Sequence, residues 1–216
     1  MCIRDSPKEQ HKVLTRVNGV KRVFQLRVRK LRPDDKVYVA VLSDITEMEQ
    51  LNQKLLQQSR TDELTQAGNR LSFNEVIQRE IDLARRNDMP FSLILFDIDF
   101  FKNVNDEFGH SVGDQVLRDL SSRIQAKLRA SDCLFRLGGE EFVILLAMQD
   151  LVHAAQLAEK IRKVVADDYF DNVGQVTISI GVTELRDGDN VNAMMVRADK
   201  ALYSAKAKGR NQVQTS

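Results

Sequence analysis

Two periodicities divide the chain. Before residue 44 the apolar positions alternate: Phe24, Leu26 and Val28 share one face of a strand read over Val23 to Leu31, and Val37 to Leu42 is a short apolar run. Pro33-Asp34-Asp35 supplies the turn between them. Asp44-Ile45-Thr46 then opens a polar helix, in which Thr46 with Glu49 three residues on has the form of a capping box. Met48, Leu51 and Leu55 give this helix a narrow apolar seam, suited to pairing with a copy of itself or to packing on its own chain. From about residue 60 helices and strands alternate. Helices are expected over Leu71 to Arg86, Val112 to Leu128, Leu151 to Ala166 and Val191 to Lys208. Strands are expected over Phe91 to Ile98, Cys133 to Leu137, Phe142 to Met148 and Val176 to Val182. That order predicts an α/β sandwich with a mixed central sheet flanked by helices.

Composition narrows the class. The 216 residues exceed one average domain and fall short of two, so one full domain plus a smaller segment is expected. Hydrophobic residues at 43% and charged ones at 29% fit a globular protein and exclude a disordered or collagen-like one. With 32 Lys and Arg against 31 Asp and Glu, the formal charge of +1 provides no global field for a nucleic-acid backbone, so any anionic partner is bound locally. Cys2 and Cys133 make no disulfide framework, and no apolar run of membrane-spanning length appears, so a reduced, cytoplasmic setting without membrane contact is expected for this chain. The intact protein can still be membrane-anchored upstream. The opening Met-Cys-Ile-Arg-Asp-Ser fits no pattern that follows and is read as extraneous to the fold, at a start cut within a domain.

Two places carry chemistry. In Phe96-Asp97-Ile98-Asp99 two carboxylates at i and i+2 close an apolar strand, a common setting for a metal site. Of the two, Asp97 is the expected functional group, and Asp99 is read as a cap on the following turn. In Leu137-Gly138-Gly139-Glu140-Glu141-Phe142 paired glycines permit positive φ and close backbone approach to a ligand, and the two acids call for a cation beside them. His11 and His153 have no constellation around them and are not read as metal ligands.

Gly138-Gly139-Glu140-Glu141-Phe142 is a GGEEF form of the signature of the GGDEF family, the diguanylate cyclases that condense two GTP into cyclic di-GMP. The resemblance extends through Asp62-Glu63-Leu64-Thr65, Asn69-Arg70, Phe96 to Lys102, Asn105-Asp106, Phe108-Gly109-His110, Gly113-Asp114, Ala198-Asp199, Ala201-Leu202-Tyr203, Ala205-Lys206 and Gly209-Arg210-Asn211. It implies a GGDEF domain over residues 61–213, with the palm-like architecture of nucleotide cyclases. It further implies Mg²⁺, or Mn²⁺, held by the Asp97 carboxylate, the Ile98 main-chain carbonyl, Glu140 and Glu141, with Asp97, Glu140 and Glu141 as catalytic acids. Asn105 and Asp114 match guanine-contacting positions, a sensible use of Asp because guanine offers N1–H and N2 donors that adenine lacks. Lys102, Lys206 and Arg210 match phosphate-binding positions, the last two being expected one helical turn apart. Gly138, Gly139 and His110 complete the implied GTP pocket. Arg129-Ala130-Ser131-Asp132 matches the RxxD site, where Arg129 and Asp132 would bind cyclic di-GMP as inhibitor. Catalysis then requires a homodimer, because each protomer holds one of the two GTP molecules.

The strands before residue 45, the Asp-Ile-Thr turn and the helix at 46–60 resemble the C-terminal end of a PAS sensor domain and its signalling linker. Residues 1–45 are thus expected to be a truncated, partial PAS-like remnant with a strand pair, controlling the cyclase through the linker. Departures from the family pattern are Gln66-Ala67-Gly68, where Gly-Leu and often Pro stand, and Phe101 after Phe100, where His-Phe is frequent. Two other readings compete. A degenerate domain would bind GTP or cyclic di-GMP without turnover, but such domains tend to lose the acids and the Lys206 and Arg210 cations retained here. A purine nucleotide cyclase acting on one nucleotide is opposed by the GGEEF turn and the RxxD site.

Overall fold

A computed structural model of the chain describes residues 10–17, 20–30, 38–51 and 60–216. These belong to two units, Met1–Ser59 and Arg60–Ser216.

In the first unit β1 (Gln10–Val17), β2 (Val20–Lys30) and β3 (Tyr38–Asp44) form an antiparallel sheet in that order. The alternation indicates a strand pair; β1 is an addition, in which Val13, Leu14 and Val17 are the apolar residues and Leu14 falls on the opposite face from the other two. The turn expected at Pro33-Asp34-Asp35 lies outside the described residues, as does Leu55. Helical residues 46–51 (α1) follow, and the expected capping box is replaced by a different arrangement. Thr46 is already helical, and the cap is Asp44, whose Oδ1 accepts from the Thr46 N–H at 3.0 Å and from its hydroxyl at 2.5 Å. The Thr46 hydroxyl in turn accepts from the Val23 N–H at 3.0 Å, binding the helix start to β2. Asp44 Oδ2 pairs with Arg22 at 2.8 Å, and these contacts hold its carboxyl below the usual range.

The second unit is built on a sheet of order β10-β9-β4-β6-β5, from β4 (Phe91–Ile98), β5 (Cys133–Gly138), β6 (Glu141–Ala147), β9 (Ile178–Glu184) and β10 (Val213–Thr215). Only the β10–β9 pairing is parallel. Strand β4 is buried along its whole length, which explains why its sequence is apolar on both faces except at Ser92 and Asp97. Its side chains alternate between two cores. Ile94, Phe96 and Ile98 pack with α3 (Phe101–Phe108), α4 (His110–Gln125) and α5 (Leu151–Asp167); Leu93 and Leu95 pack with α2 (Arg70–Asn87) and α6 (Val191–Ala207). Phe96 and its register partner Phe142 stack with ring centroids 5.3 Å apart. Three helices start on Asx caps, with Asn69, Asp150 and Asn190 accepting from the N–H of Ser72, His153 and Ala193.

The periodic pattern omitted the short elements. Helix α3 and α4 are separate, joined at Gly109, whose φ of 83° breaks the helical path. A two-residue hairpin, β7 (Tyr169–Phe170) with β8 (Gly174–Gln175), precedes β9. Helix α4 starts at His110 and ends at Gln125 rather than running from Val112 to Leu128, and β9 is shifted two residues from the expected Val176 to Val182. No helix among the described residues is long and apolar enough to cross a membrane.

Candidate active site

The site forms where β4 and β6 end side by side. Antiparallel register places Asp97 directly opposite Glu141, so the acid-bearing strand end and the Gly-Gly turn meet by sheet pairing alone. The turn follows a register shift between Arg136 and Gly138, with φ of 150° at Gly138 and 52° at Gly139. Nothing lies within 4 Å of where a Cβ would stand at either glycine, so conformation rather than space demands glycine there, and the turn backbone is open to a ligand.

Asp97 is buried at 8% exposure, and Lys206 of α6 reaches it with an Nζ–Oδ1 distance of 2.9 Å. Burial pushes the Asp97 carboxyl above its usual range against the pull of Lys206. Burial likewise raises Glu140, and the neighbouring charge of Asp97 adds to it. Two carboxylates, each raised in proton affinity by burial and one of them also by the other, are hard oxygen donors that a divalent cation would relieve. Among the described residues no three His, Cys, Asp or Glu side chains form a ready-made metal site. The set therefore fits an ion that completes its shell with phosphate oxygens and water, as magnesium does.

Around this centre the other predicted residues are dispersed in an ordered way. Arg210 does not lie one helical turn beyond Lys206 as expected. Helix α6 ends at Ala207, and Arg210 follows in a left-handed loop with its guanidinium 4.4 Å above the Phe100 ring. Lys102 is exposed on α3. The Asn105 side-chain oxygen lies against Gly113, where any Cβ would collide with it, so Asn105 and Asp114 are neighbours across the α3–α4 joint. His110 is exposed at the start of α4. Arg129 and Asp132 are in the turn before β5, where Asp132 Oδ2 accepts from the Arg129 N–H at 2.9 Å. They stand at the opposite end of β5 from the glycines, roughly 20 Å away at strand rise.

Asp99 is not a turn cap. Its buried carboxylate accepts from the hydroxyls of Thr177 and Ser179, each at 2.7 Å, and from the Asn211 N–H at 3.0 Å.

Three residues that hold the Gly-Gly turn were assigned no role from sequence. Arg136 donates through Nε and Nη2 to the Gly139 carbonyl at 2.9 and 2.7 Å, and through Nη1 to Asp62 at 3.1 Å. Arg70 Nε donates to the Leu137 carbonyl at 2.8 Å. Asp62 also accepts from the N–H and hydroxyl of Thr65, so the Asp-Glu-Leu-Thr segment is bolted to the turn. A readable signal existed for Arg136, a lone cation inside the apolar strand Leu134-Phe135-Arg136-Leu137.

The family model described as "Diguanylate cyclase, GGDEF domain" matches residues 59–212. The chain belongs to this family. It is 39% identical over 181 residues to diguanylate cyclase DgcM of Escherichia coli K12, covering 83% of this chain and 44% of the relative. It is 42% identical over 159 residues to the response regulator PleD of Caulobacter vibrioides, covering 71% of this chain and 35% of the relative. The chain thus spans less than half the length of these relatives. Among solved structures, the GGDEF domain of DgcB from Caulobacter crescentus in complex with c-di-GMP superposes with a TM-score of 0.70 at 34% identity, over 73% of this chain and 96% of that one. An active GGEEF domain of a diguanylate cyclase from Vibrio cholerae superposes with a TM-score of 0.66 at 36% identity, over 68% of this chain and 96% of that one.

Proposed function

We propose that the chain is the catalytic part of a diguanylate cyclase that joins two GTP into cyclic di-GMP. The observation that carries this reading is the meeting of Asp97, Glu140 and Glu141 at the Gly-Gly turn with Lys206 beside them. In each half-reaction the ribose 3′-oxygen of one GTP bonds to the α-phosphorus of the other, the α–β P–O bond breaks, and pyrophosphate leaves with the electron pair. Asn105 and Asp114 select guanine, with Asp114 accepting from N1–H and the N2 amino group. Lys102, Lys206 and Arg210 hold the triphosphate, His110 lines the nucleotide pocket, and the open backbone at Gly138 and Gly139 admits the phosphates. Glu140, whose burial raises its proton affinity, takes the 3′-hydroxyl proton through a carboxylate oxygen. Mg²⁺ or Mn²⁺ on Asp97, the Ile98 carbonyl, Glu140 and Glu141 would supply neutralisation of the triphosphate and of the leaving pyrophosphate.

Three finer assignments belong to the same proposal. Arg129 and Asp132 bind the product as inhibitor, at a place well removed from the turn. Residues 1–45 are a PAS-like sensor segment that acts through the linker of residues 46–60 on the cyclase of 61–213. The GTP requirement puts the catalytic unit in the cytoplasm.

Incubation of the purified chain with GTP and Mg²⁺, with ATP as control, tests the reaction. Cyclic di-GMP should form from GTP alone, should vanish with Glu140→Gln in a folded protein, and should become insensitive to added product with Arg129→Ala. Normal turnover by Glu140→Gln would remove the assignment of Glu140, and GTP bound without product would favour the non-catalytic binding module.

A further inference from the structure

We propose that Asp99, Asn211 and Arg162 form a clamp that delivers the Arg210 guanidinium to the triphosphate, making Asp99 a positioning residue of the active site. The inference rests on the GTP-binding reading above. Asp99 is only 6% exposed, yet it is used on both oxygens: Oδ1 accepts from Ser179, and Oδ2 accepts from Thr177 and from the Asn211 N–H. It thereby joins the end of β4 and the start of β9 to a loop more than a hundred residues away in sequence.

That loop needs holding. Gly209, Arg210 and Asn211 have successive φ values of 112°, 65° and 43°, so Arg210 stands in a conformation that its long side chain disfavours, beside a glycine and an asparagine that tolerate it. Asn211 is gripped at both ends. Asp99 takes its N–H, and Arg162 Nη1 donates to its Oδ1 at 2.7 Å. Arg162 is itself set by a two-pronged pair with Glu159, at 2.8 and 2.7 Å, one turn earlier on α5. The Arg210 N–H closes the loop onto the Ala205 carbonyl at 3.0 Å.

The product of these constraints is the place of one side chain. The Arg210 guanidinium lies over Phe100, the residue next to Asp99, itself left-handed at φ 57°. Lys206, four residues earlier, sits on Asp97. The loop's own bonds, from the Gly209 and Arg210 N–H groups to the Lys206 and Ala205 carbonyls, close the turn, and the clamp adds the long-range contacts that tie it to the end of β4 and to α5. Two buried or half-buried ionic groups and three main-chain or side-chain donors are thus spent on a loop whose one outward cation faces the acids.

The test compares binding of an α,β-methylene GTP analogue with Mg²⁺, and of guanosine, by calorimetry. Wild type is set beside Asp99→Ala, Arg162→Met and Arg210→Ala, with thermal unfolding as a fold control. Loss of the Arg210 grip should weaken analogue binding roughly tenfold or more, the size expected for a charge-assisted hydrogen bond, and leave guanosine within about twofold. Asp99→Ala or Arg162→Met added to Arg210→Ala should cost nothing further. Equal weakening of both ligands, unchanged analogue binding, or losses that add to those of Arg210→Ala would overturn the clamp. If Asp99→Ala does not fold, Arg162→Met decides alone. Wild-type protein that binds neither ligand would remove the nucleotide reading, and the clamp with it.

Discussion

Arg197 of α6 makes a two-pronged pair with Asp189 at 2.7 and 2.6 Å, and also donates to the Glu184 carbonyl and the Thr183 hydroxyl of β9. Asp189 accepts the Arg186 N–H as well, and its carbonyl receives Arg85 of α2. One guanidinium therefore seats the helix that carries Lys206. The hydrogen bonds from Arg197 hold the Asp189 carboxyl below the usual range, so its contribution to stability has a defined sign with pH. It is complete above the unfolded value, about 3.9, and is lost as pH falls through the lower folded value. Asp189→Asn should cost about 2 kcal/mol at neutral pH, read from urea unfolding, and the gap to wild type should close toward pH 3. A gap that widened in acid would contradict this account.

Between single residues and the whole stand the turn and its fastenings. Arg136 spans Gly139 and Asp62 with three donors of one rigid fork, which a lysine ammonium cannot reproduce. Arg136→Lys, like Arg136→Ala, should raise amide exchange at residues 138–141 severalfold while β4 stays protected; unchanged exchange would mean the turn is held by Arg70 and the sheet alone. The sequence announced this element unevenly. Strand β4, the Gly-Gly turn and the acids were legible because a run buried on both faces and a compact motif leave local traces. Helix α3, the β7–β8 hairpin and β10 were not, since eight, two and three residues are too short to show a period. Asp99 was misjudged for a related reason: a carboxylate two residues past Asp97 looks local, and its partners Thr177, Ser179 and Asn211 are near only after folding. Arg210 was expected one helical turn from Lys206, but Gly209 with φ of 112° has already ended the helical path.

At the scale of the molecule, the two described units differ in how they bury apolar surface. The second has two continuous cores, one on each face of its sheet. In the first, Tyr38, Val39, Val41 and Leu42 of β3 are exposed, as are Met48 and Leu51 of α1. The proposed reaction joins two GTP, one on each protomer, so under that proposal specific activity in cyclic di-GMP formation should rise with protein concentration and level off once dimers dominate. A flat profile would argue against assembly as the limiting step.

The sheet also has a vulnerable margin. Strand β5 is outermost, and its free side is partly occupied by Gly68, whose N–H donates to the Leu134 carbonyl at 2.9 Å and whose carbonyl accepts from the Arg136 N–H at 2.8 Å. The loop of residues 61–68, which steadies the Gly-Gly turn through Asp62, thus also blunts, through Gly68, an adhesive border carrying Leu134, Phe135 and Leu137. Lesions in this segment should surface first as insoluble protein in the expressing cell, before any defect in chemistry can be assayed.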